Sequence, residues 1–170
     1  MNSEAPPGEL NVPRRPRAFD TIFYGGLAIG ILDFLDATSF FMFYSGAAFS
    51  RIWQSVAAGV LGRDTAVEGG WNTAALGIFL HFVIAFLVAT VYWIGARNIR
   101  FLIMRPVVSG LIFGVIANFV MQYVVIPLSA AGGTAAPFRL PVFLNSVIGH
   151  ALLVGLPVAL IASRSAKKHT

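Results

Sequence analysis

Charge is what this chain has least of: only 11% of its residues are Asp, Glu, Lys or Arg, against 57% that are hydrophobic. Soluble domains carry about 25% charged residues. A chain this poor in charge, with a mean hydropathy of +0.78, cannot cover its own surface in water, and lipid is the simpler solvent. Cysteine is absent, which excludes disulfides, thiolate metal sites, iron–sulfur clusters and cysteine nucleophiles. Acids are scarce as well, seven against twelve Lys and Arg, for a net charge of +5. The basic residues lie in short runs beside apolar segments, with no basic helix and no aromatic–basic interleaving. They read as topology determinants and not as a nucleic-acid surface. Catalytic signatures are missing too. Ser39, Ser109 and Ser146 have no local nucleophile motif, and no pair of histidines four apart with a glutamate occurs. The chain is not expected to be an enzyme.

What is there is apolar length. Segments from about Thr21 to Tyr44, Trp71 to Gly95, Pro106 to Ala130 and Pro141 to Ala162 each supply roughly 22–25 residues, enough for a helix to cross a ~30 Å hydrocarbon core. They predict an all-α, polytopic four-helix membrane bundle over 21–163. A Pro-rich disordered tail over 1–20 and a basic tail over 164–170 flank it. The first apolar run, about 24 residues, is too long for a signal-peptide core. Pro106 and Pro141 suit a first helical turn, whereas Pro157 falls inside the fourth segment and predicts a kink.

Lys and Arg set the orientation. Arg14, Arg15, Arg17, Arg97, Arg100, Arg105, Arg164, Lys167 and Lys168 fall on one side, leaving Arg51, Arg63 and Arg139 on the other, where Asp64 and Glu68 offset two of them. The positive-inside rule then places both termini in the cytoplasm. Between the first two spans, Ile52, Trp53, Val56, Ala57, Val60 and Leu61 recur at helical spacing beside Arg51, Gln54, Ser55 and Arg63. That pattern predicts a short amphipathic helix at the outer interface that caps the bundle, with Arg51 and Trp53 as interfacial residues. Trp71 and Trp93 read as further aromatic anchors. The connector from Ala131 to Leu140 is short and almost uncharged, and is expected to tuck against the bundle.

Small residues mark the expected helix contacts. Gly26 and Gly30 in the first span, and Gly110 and Gly114 in the third, are small-xxx-small motifs that let backbones approach closely. With one histidine each in the second and fourth spans, the pattern also suits two hairpins related by a pseudo-twofold axis along the membrane normal.

Polar residues interrupt this apolar background: Asp33, Asp36, His81, Asn118, Gln122, Asn145 and His150. At 1.5 Å per residue, Asp33 and Asn118 fall near mid-membrane, Asp36, His81 and His150 roughly 3–5 Å outward, and Gln122 and Asn145 roughly 7–10 Å outward. Gly26, Gly30 and Asp33 share a stripe, as do Gly110, Gly114 and Asn118, so the seven are expected to converge where helices meet. A charged side chain at the bilayer centre costs at least ~2.5–3.5 kcal/mol on insertion scales, so two aspartates need partners.

Three readings are open. Hydrogen-bonded polar groups glue the bundle, each bond contributing about 0.6 kcal/mol. Alternatively they form a proton or ion path, since burial drives carboxylic acids and imidazoles alike toward neutrality, where a relay works. Or His81 and His150 are axial ligands of a bis-histidine haem, with Arg51 at a propionate. The same Asp and His side chains would also suit a metal, but no metal or other cofactor is required. The partners expected are the lipid bilayer and either further copies of the chain or a larger membrane complex.

Three further features occur together: His81 opening the apolar run His81-Phe82-Val83-Ile84-Ala85-Phe86, the turn Ile126-Pro127-Leu128, and the pair Gly149-His150. Through these, the stretch from about Gly77 to Arg164 resembles the YagU-like family of small bacterial inner-membrane proteins. The resemblance implies a bacterial inner-membrane location and a four-helix plan. That family brings no settled biochemical activity. Asp33 and Asp36 lie outside the matching motifs, so the resemblance assigns them no role.

Overall fold

The computed structural model describes residues 15–132 and 138–167. Among these residues there are helices and no strands. Four helices are long and apolar enough to cross a membrane: α1 (Asp20–Ser45), α4 (Gly70–Asn98), α6 (Pro106–Leu128) and α7 (Leu140–Lys167). Three short ones lie in the connectors: α2 (Phe49–Leu61) and α3 (Arg63–Glu68) after α1, and α5 (Phe101–Met104) before α6.

Local chemistry sets the element ends. Gly46, at φ 64°, takes the left-handed conformation that closes α1, its N–H bonded to the Phe41 carbonyl. Pro106 and Pro141 sit in the first turns of α6 and α7, where no intrahelical donor is lost. Pro127 and Pro157 lie further along and each removes a donor. In both cases the preceding stretch, Met121–Val125 or His150–Gly155, widens to i→i+5 hydrogen bonding. Such widened turns relieve the clash between a proline ring and the carbonyl behind it. The kink expected at Pro157 is met by this wide turn, and α7 continues through it.

Packing rests on absent side chains. A Cβ on Gly26 or Gly30 would come within 2.5–2.6 Å of the Phe86 or Phe82 ring on α4. On α6, a Cβ at Gly110 would sit 2.8 Å from the Gly155 carbonyl of α7, and one at Gly114 would overlap the His150 carbonyl. All four predicted glycines therefore lie at helix contacts, α1 on α4 and α6 on α7. The first pair meets rings and the second meets backbone. Between α1, α4 and α7 the core is built largely of small residues, among them Ala85, Ala89, Ala159 and Ala162 around Tyr92 and Val158. Close backbone approach is what holds helices together where lipid supplies no hydrophobic drive.

Both ends of the described chain lie at one end of the bundle, here the terminal end. The Arg17 N–H donates to Ser165 Oγ (3.3 Å), and Trp93 Nε1 donates to the Pro16 carbonyl (3.1 Å). Two boundaries expected from sequence are therefore corrected. Pro16 is buried and Arg17 is bonded to α7, and 164–167 continue α7 with Ser165 and Ala166 buried. The rest of both predicted tails, 1–14 and 168–170, lies outside the described residues, as do 133–137 of the last connector.

The opposite end is covered by α2, here the lid. Its sequence is amphipathic, and Ile52, Trp53, Ala57 and Ala58 are buried, while Val60 and Leu61, placed on the same face by the sequence pattern, are exposed. The lid crosses α4 so closely that a Cβ on Gly77 would overlap the Trp53 carbonyl. Its last turn reaches the segment after α6, where the Ala130 N–H donates to Gly59 O (2.9 Å), and Arg63 Nε of α3 donates to Ala131 O (2.8 Å). Arg51 is exposed. Trp53 is not interfacial: only 1% of it is exposed, and it stacks on Phe34 of α1 at 4.4 Å. The apolar face of α2 has protein beneath it.

Candidate functional site

The polar residues form two groups that share α1 and diverge from it. Asp33 and Asp36 are three residues apart, which turns them about 60° from each other around the helix. Asp33 faces α4 and Asp36 faces α7.

The first group is a histidine in an aromatic box. With no side chain at Gly30, His81 of α4 reaches the Gly30 carbonyl through Nε2 (2.9 Å). A carbonyl only accepts, so Nε2 carries the proton. Nδ1 lies 3.9 Å from Asp33 Oδ2, within charge–charge range and beyond hydrogen-bond reach. The walls are Phe34, Phe82 and Trp53, with ring centroids 6.3, 5.5 and 5.1 Å from the imidazole. Trp53 closes the lid side, and its Nε1 is buried without a hydrogen-bond partner among the described residues.

The second group joins α1, α6 and α7. Asn145 Nδ2 donates to Asp36 Oδ2 at 2.9 Å. The neighbouring Ser146 hydroxyl donates to Oδ1 of Asn118, which is almost fully buried. His150 Nδ1 donates to the Ser146 carbonyl at 3.0 Å, one turn back on its own helix. Gly149 makes room for Asp36, because a Cβ there would lie 3.0 Å from Oδ2. Asp36 is also within charge–charge range of Asp33 and His150. Beside it an open groove of about 410 Å³, lined by Asp36, Ser39, Phe40, Phe43, Tyr44 and Asn145, runs between α1 and α7.

Six of the seven predicted residues thus take part, in two groups and not one. Gln122 is exposed and belongs to neither. The two histidines have separate surroundings: His81 is boxed by α1 and the lid, and His150 is held by its own helix. Asp33, Asp36, His81 and His150 do not assemble into a metal-binding set, and no group of three or more His, Cys, Asp or Glu is placed to hold a metal among the described residues. Sequence reasoning missed Ser146 and the ring contact of Trp53. Ser146 carried a usable signal, since it lies one turn before His150. Also missed was a knot at the terminal end, where Tyr92 Oη bonds the Leu102 carbonyl (2.9 Å) and Ser109 Oγ (3.1 Å).

Comparison with known proteins gives no match: no protein-family model, curated protein or solved structure matches the chain.

Proposed function

We propose that this chain is a non-enzymatic inner-membrane protein of bacterial type with a proton- or ion-linked role, in which Asp33 and His81 form the exchanging pair. The single observation that carries the reading is the 3.9 Å approach of His81 Nδ1 to the Asp33 carboxylate, which sets an acid beside an imidazole, the side-chain types of proton relays, between two spanning helices. Ionisable groups at membrane depth that face a bundle interior mark ion and proton routes. Asp36, beside its groove and within charge range of Asp33, is the next site along α1. No cofactor is needed for this role.

In this reading the terminal end is cytoplasmic and the lid is periplasmic. Arg15, Arg17, Arg97, Arg100, Arg105, Arg164 and Lys167 support that orientation, since they gather around the terminal end. The YagU-like resemblance supports the same membrane. Glycine pairing of α1 with α4 and of α6 with α7 supports the two-hairpin repeat.

The test is proton flux in liposomes. Asp33→Asn and His81→Ala are each expected to lower flux at least tenfold relative to the unaltered chain. Unchanged flux in both removes the proposal. A second reading, a subunit packed within a larger membrane assembly, is favoured by one observation: the outer part of α6 from Gln122 to Leu128 is exposed at every position.

A further inference from the structure

The spanning helices are enclosed to very different degrees. From Phe119 to Leu128 every residue of α6 except the half-buried Met121 is exposed, so this stretch stands clear of the bundle over more than two turns. Most of its surface suits acyl chains: Phe119, Val120, Tyr123, Val124, Val125, Ile126 and Leu128. Gln122 does not. It lies six residues from the end of α6, about 9 Å along the axis, and so within a ~30 Å hydrocarbon core. An amide offers two donors and two acceptor sites, and lipid tails satisfy none of them. Gln122 shares a face with Phe119, Tyr123 and Ile126, and the Phe119 and Tyr123 rings stack at 5.8 Å.

Topology names the occupant. The Lys and Arg excess at the terminal end favours one direction of insertion for every copy. Two copies related by a twofold axis along the membrane normal then bring Gln122 opposite Gln122 at the same depth. An amide is its own complement: each Nε2–H donates to the other copy's Oε1. A different partner would need a matched polar group at that depth, whereas a second copy supplies it by symmetry. We propose that the Phe119–Gln122–Tyr123–Ile126 face of α6 is a homodimer interface, pinned by reciprocal Gln122 hydrogen bonds. This interface is independent of the Asp33–His81 pair, which lies between α1 and α4.

The absence of native cysteine makes the test clean. Single variants Phe119→Cys, Ile126→Cys and Val124→Cys would be oxidised in membranes containing the full chain. Cross-linked dimers of the chain are expected at 119 and 126, with Val124, on the opposite side of α6, at background. Adding Gln122→Leu to Phe119→Cys should lower dimer formation about three- to tenfold, the equilibrium effect of two interhelical hydrogen bonds. Because position 122 faces outward, the Leu variant should keep its helical content and elute as a folded protein. Equal cross-linking at all three positions, no cross-linking at 119 and 126, attachment to a different protein, or indifference to Gln122→Leu would each overturn the interface.

Discussion

At the scale of single residues, the two polar groups differ in what their hydrogen bonds leave over. The Ser146 hydroxyl bonds Asn118 Oδ1 across α6 and α7, with Asn118 buried and Ser146 half-buried. Interhelical bonds of this kind contribute modestly, because the helices find other partners when apart. A double-mutant cycle between Asn118→Ala and Ser146→Ala, read by unfolding in detergent, should give a coupling of about 0.6–1.7 kcal/mol. A coupling near zero would show that the bond contributes nothing. Trp53 is the opposite case. Its indole N–H is buried without a partner among the described residues, so the ring is there for packing and its polar atom adds nothing. Trp53→Phe should therefore change thermal stability little. Trp53→Ala removes the stacking on Phe34 and the wall over His81, at a cost of about 3–5 kcal/mol. Equal losses in the two variants, measured as melting shifts of the purified protein, would mean that the N–H has a partner after all.

At the scale of elements, the question is what keeps the lid down. It rests on α4 through backbone, at Gly77 against Trp53 O, and its polar anchor is Gln54 Nε2 donating to the Gly70 carbonyl (2.8 Å). Gly77→Ala puts a methyl group where that carbonyl lies and should lift the lid while leaving the α6–α7 contact intact. Ala57 lies on the lid's own inner face and is fully buried, so an Ala57→Cys reporter should react slowly with a water-soluble maleimide and at least tenfold faster once Gly77→Ala is added. Equal rates would mean that the lid moves as one body with α4.

The lid also marks how far the sequence could be read. The four spans were legible because a long run of apolar residues has one stable solution in a bilayer. The amphipathic pattern of 52–61 was legible as well, but it is the same whether lipid or protein covers the apolar face. The burial of Trp53 was therefore out of reach. Gln122 failed for a geometric reason. Continuing the stripe Gly110, Gly114, Asn118 by four residues adds about 40° of rotation at each step, and the wide turn Met121–Val125 disturbs the phase further. By residue 122 the stripe has left the bundle. The two aspartates are half-buried on α1, and a spacing of three does not say that they serve different neighbours.

At the scale of the whole molecule, the distribution of charge against the two ends of the bundle makes a prediction of its own. The terminal end carries Arg15, Arg17, Arg97, Arg100, Arg105, Arg164 and Lys167, while the lid end has Arg51, Arg63 and Arg139 alongside Asp64 and Glu68. Short, basic connectors resist translocation, so the proposed orientation keeps the side with the excess in the cytoplasm. Cysteines placed at the exposed positions Glu68 and Arg100 report opposite ends of the bundle without interference from native thiols. In intact cells an impermeant maleimide should label Glu68→Cys, and it should reach Arg100→Cys only after the membrane is opened. The reverse pattern would invert the molecule and place the lid, and the His81 box beneath it, on the cytoplasmic side. Labelling of both sites in intact cells would mean mixed insertion. It would also undermine the α6 dimer, because antiparallel copies no longer bring Gln122 to the same depth.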